Sequence, residues 1–201
     1  MARISEAEKI QRRLTILDAA ISLFSQRGFH GVNTAELASS AGIAEGTIFR
    51  YFKSKEELLI SALIHVMAKL LEELKSNDLP NEHVSKRLSR FIDNHLKLIK
   101  ENPELTRFIT IELRQTPEFM RRYPNYNPLA GYLDFLREIL FKGMERGEIR
   151  AINLESLVSI IFGTIDYVMA TWHISDAHIE LEKTILDLRE IIYNGVKPEG
   201  K

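Results

Sequence analysis

Apolar residues recur at helical spacing along almost the whole chain, and this pattern decides the fold class. The first clear stripe is Ile16, Leu17, Ala20, Leu23 and Phe24, which share one face of a helix. Alternating apolar and polar residues bounded by hairpin turns, the pattern of a half-buried strand, do not appear. The sequence therefore predicts an all-α fold with about nine helices.

The spacing of glycines divides the chain into two regions. Four glycines fall between residues 28 and 46 and separate short elements, whereas long helices follow Leu58. We expect a three-helix N-terminal domain over residues 1–54 and a larger helical domain over residues 55–201. A continuous helix that begins at Lys55 joins them. Towards the C-terminus, Asn153 is suited to cap a helix that ends near His173, and a last helix is expected from about Ala177 to Asn194, ending at Gly195.

Composition limits the classes of function. The chain has no cysteine, which excludes disulfides and thiolate metal sites and is compatible with a reducing, cytoplasmic setting. We find no secretory signal, and we expect no membrane span, because no apolar run approaches the length of about 20 residues that a span needs. The net charge is −1, so any surface that binds nucleic acid must be local.

The strongest motif is TAELASSAGIAEGTIFRYF, which begins at Thr34 and ends at Phe52. Thr34 is a candidate helix cap, and Gly42 lies where the chain must turn sharply. Ile43 and Ile48 follow at positions that bury a second helix against the first. This is the spacing of a helix-turn-helix, in which the second helix enters the major groove of DNA.

The second helix of this motif has two different sides. Ile48, Phe49 and Phe52 are expected to anchor it, while polar residues face outwards. Hydroxyl groups and lysine suit phosphate, and arginine suits guanine or phosphate. The predicted DNA-binding residues are Thr34, Ala35, Glu45, Gly46, Thr47, Arg50, Tyr51 and Lys55. The spacing alone leaves a plain helical hairpin with a solvated face as an alternative.

These residues also carry a family resemblance. The run ILDAAISLFSQRGFHGVNTAELASSAGIAEGTIFRYFKSKEELL resembles the DNA-binding domain of TetR-family transcriptional regulators. The matching features include the Gly28-Phe29 turn, the TIFRYF run from Thr47, and the residues that follow it from Lys53 to Glu56. The resemblance implies an all-helical homodimer whose recognition helices read a palindromic operator.

The larger domain contains an unusually apolar helix, LVSIIFGTIDYVMATWHI, which must be buried on several sides. We expect one side to face a ligand pocket and another to face a partner subunit, with the last helix completing a four-helix interface. The segments IELRQTPEFMRR, KGMERGEIR and FGTIDYVMATW resemble those of the FadR-type fatty-acid-degradation repressors within the TetR family. This resemblance implies long-chain acyl-CoA as the effector, although the sequence does not distinguish it from a free fatty acid.

Residue chemistry fits such a ligand. Apolar side chains suit an acyl chain, and arginines suit the phosphates of CoA. The predicted ligand-binding residues are Phe91, Leu98, Phe108, Arg114, Arg121, Arg122, Phe162, Ile165, Met169 and Trp172. Tyr123 or Tyr126 is a candidate to stack on adenine. Ordinary core packing is the alternative for the apolar set, and Arg114 also has Glu112 or Asp166 as a candidate ion-pair partner.

The sequence thus predicts a ligand-responsive, cytoplasmic transcriptional repressor that binds operator DNA as a homodimer, with long-chain acyl-CoA controlling fatty-acid metabolism. We expect no enzyme activity, cofactor, metal or membrane contact, because no catalytic motif or metal-ligand spacing is present. Two alternatives remain. One is a TetR-type repressor that senses a drug or another apolar metabolite and controls efflux or biosynthesis genes. The other is a helical enzyme or lipid carrier with an incidental helix-turn-helix.

Overall fold

The computed structural model describes residues 5–174 and 180–197, and every regular element within them is an α-helix. The ten helices are α1 (Glu6–Arg27), α2 (Thr34–Ser40), α3 (Glu45–Tyr51), α4 (Lys55–Ser76), α5 (Val84–Glu101), α6 (Pro103–Glu112), α7 (Pro117–Arg122), α8 (Ala130–Glu145), α9 (Leu154–Ile174) and α10 (Leu181–Val196). The all-α prediction is confirmed, with ten helices in these residues where about nine were expected.

Capping residues fix where the N-terminal helices begin. Ser5 and Glu8 form a capping box at the start of α1, and Asn33 and Glu36 form another at the start of α2. The prediction that Thr34 caps α2 is therefore wrong. Asn33 has the extended backbone of a cap, and its Oδ1 accepts a hydrogen bond from the Glu36 amide at 2.9 Å, so Thr34 is the first helical residue.

Two glycines with positive φ shape the N-terminal domain. Gly28 ends α1 at φ 73°, and Gly42 turns the chain between α2 and α3 at φ 66°. The amide of Ile43, directly after that turn, donates to the Ala38 carbonyl at 3.0 Å, which closes the end of α2. Both turns lie where the sequence predicts them, because a residue with a Cβ rarely adopts such a φ.

The last two helices agree with the sequence only in part. Asn153 caps α9 as predicted, since its Oδ1 accepts from the Ser156 amide at 2.9 Å. Helix α10 does not end at Gly195 but continues to Val196, whose carbonyl accepts from the Arg150 amide at 2.9 Å. This contact holds the final turn in place despite the glycine. The predicted start at Ala177 lies outside the described residues.

A single apolar core runs through both parts of the chain. Helix α1 packs against α4 and α6, α6 packs against α9, and α9 packs against α8. Helix α4 is unbroken from Lys55 to Ser76, so it connects the two parts as predicted. The boundary between residues 54 and 55 stays a prediction. This arrangement places α6 between the N-terminal domain and the interior of the larger one.

A buried ion pair fixes the connection between α4 and α5. The Arg87 side chain is 1% exposed and that of Asp78 is 8% exposed. Arg87 donates from Nε to Asp78 Oδ1 at 2.9 Å and from Nη2 to Oδ2 at 2.7 Å. Such a two-bond pair holds both side chains in one geometry.

We expect Asp78→Ala to lower the free energy of unfolding by about 3–5 kcal/mol, because the guanidinium of Arg87 would stay buried without its carboxylate. Glu118→Ala is the matched control, since its pair with Arg121 is exposed and should contribute less than about 1 kcal/mol. Chemical denaturation followed by circular dichroism measures both. Equal losses in the two variants would contradict this account.

Candidate nucleic-acid interface and ligand cavity

One side of helix α3 packs against the N-terminal core, and the other side is exposed. Ile48 and Phe52 are almost fully buried against the N-terminal core, and they are one helical turn apart. Glu45, Gly46 and Arg50 are exposed, whereas Thr47 and Tyr51 are half-buried. The helix is thus fixed through its inner side, as the sequence predicts, and its outer side is free to meet a ligand as large as DNA.

The start of α2 lies beside the start of α3. The Thr34 hydroxyl donates to the Glu45 carboxylate, and Ala35 is exposed next to it. The structure therefore brings the residues predicted on α2 together with those predicted on α3. They form one surface, which we call the reading surface.

Phe49 corrects one part of the prediction. It was expected to help anchor α3, but it is 49% exposed. Ile48 and Phe52 point inwards together because they are four residues apart, and Phe49 follows Ile48 by about 100° of helical rotation, which carries it away from the core. Phe49 thus adds an apolar side chain beside the reading surface.

Lys55 is occupied within the protein. Its Nζ donates to the Phe29 carbonyl at 2.6 Å and lies 4.3 Å from the centre of the Phe29 ring. Partial burial lowers the pKa of Lys55, and neighbouring carboxylates, Glu56 first among them, oppose that shift. Lys55 ties α4 to the loop between α1 and α2, so its predicted contact with DNA phosphate would have to share this ammonium group.

A small cavity lies inside the larger domain, with a volume of about 30 Å³. We call it the central cavity. Its walls are Met67, Leu70, His95, Leu98, Ile109, Thr110, Leu113, Leu129, Tyr132, Phe162, Asp166 and Met169. The predicted residues Leu98, Phe162 and Met169 are among them. A cavity needs about 10–15 Å³ per water molecule, so this one holds about two.

The other predicted apolar ligand residues lie outside the wall of the central cavity. Phe91 is buried behind it, 4.9 Å from the His95 ring and 5.3 Å from the Tyr132 ring between centroids. Ile165 is fully in the core. Phe108 packs on Phe24 of α1, with ring centroids 6.0 Å apart, and Trp172 is partly exposed on α9. Sequence periodicity identifies such residues as apolar but does not separate a cavity wall from the layer behind it.

The cavity wall also contains polar groups. Tyr132 donates its hydroxyl proton to His95 Nε2 at 2.5 Å, and His95 Nδ1 donates to the Phe91 carbonyl at 2.7 Å. Burial lowers the pKa of His95 to about 4, so the ring is neutral at physiological pH. Burial also raises the pKa of the Tyr132 hydroxyl. Sequence analysis missed both residues, although their spacing on apolar helices is a signal that they face inwards.

Arg114 and Asp166 lie at the edge of the central cavity. Their side chains form an ion pair, and the Arg114 guanidinium also donates to the Thr110 carbonyl. Of the partners left open for Arg114, the structure therefore selects Asp166. Arg114 is about half exposed, so a ligand that enters here meets a guanidinium at the surface and a carboxylate just inside.

The remaining cationic candidates lie on α7 and are exposed. Arg121 pairs with Glu118 at 2.7 Å, and Arg122 lies 5.6 Å from the centre of the Tyr123 ring. Tyr126 is not available to stack on adenine, because it is buried and its hydroxyl donates to a backbone carbonyl, that of Glu112, at 2.9 Å. Tyr123 is half-buried and keeps a ring face towards Arg122.

Helix α6 connects the cavity with the N-terminal domain, a link that the sequence did not reveal. Arg107 Nη2 donates to the Ser25 carbonyl at 3.1 Å and to the Gln26 carbonyl at 3.3 Å. Glu112 Oε1 accepts from the Phe29 amide at 3.4 Å. These bonds join α6 to the end of α1 and to the loop that also binds Lys55.

Comparison with known proteins decides the family. Residues 16–62 match "Bacterial regulatory proteins, tetR family", and residues 64–195 match "YsiA-like protein, C-terminal region". The chain belongs to the TetR family. It is a transcriptional repressor of that family, with an N-terminal helix-turn-helix and a C-terminal helical domain.

Individual TetR-family relatives match over nearly the full length. The fatty acid metabolism regulator protein of Bacillus subtilis is 30% identical over 190 residues, which cover 94% of this chain and 97% of the relative. The crystal structure of FadR from Bacillus subtilis in complex with stearoyl-CoA aligns with a TM-score of 0.79 at 30% identity, over 91% of this chain and 98% of that one. FadR from Bacillus halodurans aligns with a TM-score of 0.78 at 25% identity, over 96% and 97% of the two chains.

Helix α9 corrects the expectation about apolar runs. Among the described residues, the stretch Leu154–Trp172 is long and apolar enough to cross a membrane, with a mean hydropathy of 1.4. Core helices of globular proteins satisfy the same criterion. In this TetR-family chain one side of α9 packs against α6 and α8, whereas Ile160 and Tyr167 on the other side are exposed.

We expect Arg50→Ala to weaken operator binding, because Arg50 is the one exposed cation within α3. If Arg50 contacts phosphate, the affinity should fall by a similar factor for all DNA sequences, and the slope of log affinity against log salt concentration should decrease by about one. If Arg50 contacts guanine, the preference for that base pair over the others should fall by about 1–3 kcal/mol. Fluorescence anisotropy with labelled operator at several salt concentrations measures both. Arg121→Ala, on exposed α7, is the control. Equal affinities of the wild-type and Arg50→Ala proteins would contradict a role of Arg50 in DNA binding.

Proposed function

We propose that this chain represses genes of fatty-acid metabolism as a homodimer on a palindromic operator, and that long-chain acyl-CoA releases it. The observation that carries the proposal is the likeness to the stearoyl-CoA complex of Bacillus subtilis FadR, which extends over 91% of this chain and so includes the C-terminal domain. The proposed location of the protein is the cytoplasm, where operator DNA and acyl-CoA are both present. The role is regulatory and involves no catalysis or cofactor beyond the effector.

The proposed effector site joins the central cavity to the arginines outside it. An acyl chain would enter between α6 and α9, where apolar side chains give way to the Arg114–Asp166 pair. The phosphates of CoA would lie outside, within reach of Arg114 and of Arg121 and Arg122 on α7. The cavity is too small for a long chain at about 30 Å³, so binding requires that its walls move apart.

Helix α6 would transmit a movement of the central-cavity walls to the reading surface. One side of this helix contributes Ile109, Thr110 and Leu113 to the cavity, and Arg107 and Glu112 on the same helix bond the N-terminal domain. A displacement of α6 would therefore also move α1 and the loop around Phe29. Two recognition helices must lie about 34 Å apart to reach successive major grooves, so a small rotation of each N-terminal domain would release the DNA. A coupling of about 1–3 kcal/mol is sufficient for such a switch.

The proposed dimer interface lies on α9 and α10. Ile160 and Tyr167 are 58% and 69% exposed on α9, and Ile191 is 69% exposed on α10. Gly163 lies between the first two on the same side of α9, and a Cβ there would meet no atom of any other described helix within 4 Å. An apolar face with a glycine at its centre permits close approach of a partner helix.

The function is tested by operator binding of the purified protein, with DNA from upstream of its own gene at fixed salt. Stearoyl-CoA is expected to release the DNA at concentrations at which stearate does not, because the phosphates of CoA add contacts to arginine. Anisotropy of labelled DNA gives both affinities. Tight binding that ignores stearoyl-CoA would leave a repressor and refute the effector.

We expect Arg107→Ala to uncouple the effector from the operator. Without ligand, the variant should bind operator within about threefold of the wild type, whereas stearoyl-CoA should release it less effectively, with a coupling loss of about 0.5–2 kcal/mol. Arg146→Ala is a close control. Arg146 also donates to two backbone carbonyls, but these belong to Pro80 and Glu82, between α4 and α5 in the larger domain. Release of the Arg107 variant at the wild-type concentration would contradict the role of α6.

We expect Tyr167→Glu to weaken dimerisation by at least about tenfold, which corresponds to about 1.4 kcal/mol, because it buries a charge in an apolar interface. Leu79→Glu provides the control, since Leu79 is also a large exposed hydrophobic residue but lies between α4 and α5. Sedimentation velocity over a range of protein concentrations measures the dissociation constant. A Tyr167 variant that dimerises as tightly as the control would place the interface elsewhere.

A further inference from the structure

The reading surface contains an acidic side chain that no cation neutralises. Glu45 is the first residue of α3 and is exposed. Its carboxylate accepts a hydrogen bond from the Thr34 hydroxyl, and it forms no ion pair within the part of the chain that the structure describes. Arg50 follows Glu45 by five residues, which is about 140° of helical rotation, so the two side chains leave α3 in different directions. Glu45 therefore presents a full negative charge to any DNA bound here.

A carboxylate at this place is unfavourable for binding to the DNA backbone. Double-stranded DNA carries one negative charge for every 1.7 Å or so of helix axis, and like charges repel. Glu45 therefore weakens binding to DNA of every sequence by a similar amount. It can add to affinity only where the DNA offers it a hydrogen-bond donor, and in the major groove those donors are the amino groups of cytosine and adenine.

The carboxylate suits cytosine better than adenine. The edge of cytosine presents the N4 amino group as a donor, whereas adenine presents its N6 amino group next to the N7 acceptor. A carboxylate has two oxygens and no proton to donate. An oxygen that approaches adenine N6 would therefore bring its charge close to the lone pair of N7. Cytosine lacks this second acceptor, so Glu45 is expected to prefer a C·G pair.

Thr34 holds the carboxylate in place from the neighbouring helix. Helix α2 does not need this hydroxyl as a cap, because the Asn33 side chain already caps it. A hydroxyl has one proton to donate, and here Glu45 accepts it. Thr34 therefore cannot donate that proton to a phosphate, the contact expected from the sequence, while the pair is intact. Its place in the structure is that of a positioning residue for Glu45.

The neighbours of Glu45 on α3 leave it open to a base. Gly46 comes directly after it, is exposed and has no side chain to shield the carboxylate. Phe49 lies one turn further along the same side of the helix and is exposed as well. An aromatic ring suits the methyl group of a thymine beside the cytosine. Neither neighbour supplies a charge that would offset that of Glu45.

We propose that Glu45, oriented by Thr34, reads a cytosine in each half of the operator through its N4 amino group, and that its charge disfavours every other base at that position. The inference rests on the proposed binding of the homodimer to a palindromic operator and is independent of the acyl-CoA effector. It gives one carboxylate two effects: Glu45 lowers affinity for DNA in general and raises it for one base pair.

Selection from a pool of randomised duplex DNA by the full-length protein, followed by sequencing of the bound fraction, tests the inference. The wild type should prefer a C·G pair at one position of each half-site. Glu45→Ala should lower the preference at that position about tenfold and leave the other positions unchanged, while affinity for DNA without an operator rises. Glu45→Gln should shift the same position towards adenine, because an amide donates to N7 and accepts from N6.

The role of Thr34 is tested by two further variants. Thr34→Val keeps the shape of the side chain but has no proton to donate, so the preference for cytosine should fall about threefold or more. Thr34→Ser keeps the hydroxyl and should restore the wild-type preference. Glu72→Gln is the control for net charge, since Glu72 is exposed on α4 in the larger domain and should affect neither base preference nor affinity for non-operator DNA.

The inference is overturned if Glu45→Ala has the base preferences of the wild type, or if the position it changes prefers a base other than cytosine. A uniform loss of affinity without a change of preference would also overturn it, because Glu45 would then be only structural. Thermal unfolding checks that the variants are folded, and if Glu45→Ala is not, Glu45→Gln decides. If the wild type enriches no sequence at all, the proposed operator binding itself is refuted.

Discussion

The contact between α6 and the end of α1 is the constraint on which the rest of the structure depends. It places Phe108 against Phe24 in a shared core and anchors two backbone carbonyls to Arg107. Because packed cores repack between discrete states and do not deform continuously, a change on the cavity side of α6 cannot remain local. The same helix therefore limits both the size of the cavity and the position of the DNA-reading helix.

The small volume of the central cavity indicates which conformation this structure represents. With space for about two water molecules in the central cavity, the described conformation cannot hold a long chain. It is the state expected to bind operator, and the effector would favour a different one. A ligand shifts such an equilibrium only by its difference in affinity for the two states. Here that difference would arise from apolar area that becomes available when α6 and the other walls of the central cavity move apart.

Much of the fold follows from the sequence, whereas the site follows only in part. Helical periodicity and the glycines at 28 and 42 predict the N-terminal helices, because each rests on a local rule of backbone geometry. Phe49 was placed inside because apolar character alone does not say which side of a short helix is buried. Arg107, His95 and Tyr132 were missed for a different reason. Arg107 bonds carbonyls on α1, and His95 bonds Tyr132 on another helix, so these contacts join residues far apart in the chain. One sequence carries no direct signal of such contacts.

The most direct test is the distance between the two N-terminal domains of the proposed dimer, with and without the proposed effector. The chain has no cysteine, so Ser40→Cys on exposed α2 provides one spin-label site per protomer for pulsed electron paramagnetic resonance. The account predicts that stearoyl-CoA shifts the distance distribution and that stearate at the same concentration does not. An unchanged distribution at a stearoyl-CoA concentration that releases operator DNA would contradict it, because the effector would then act without moving the reading surfaces.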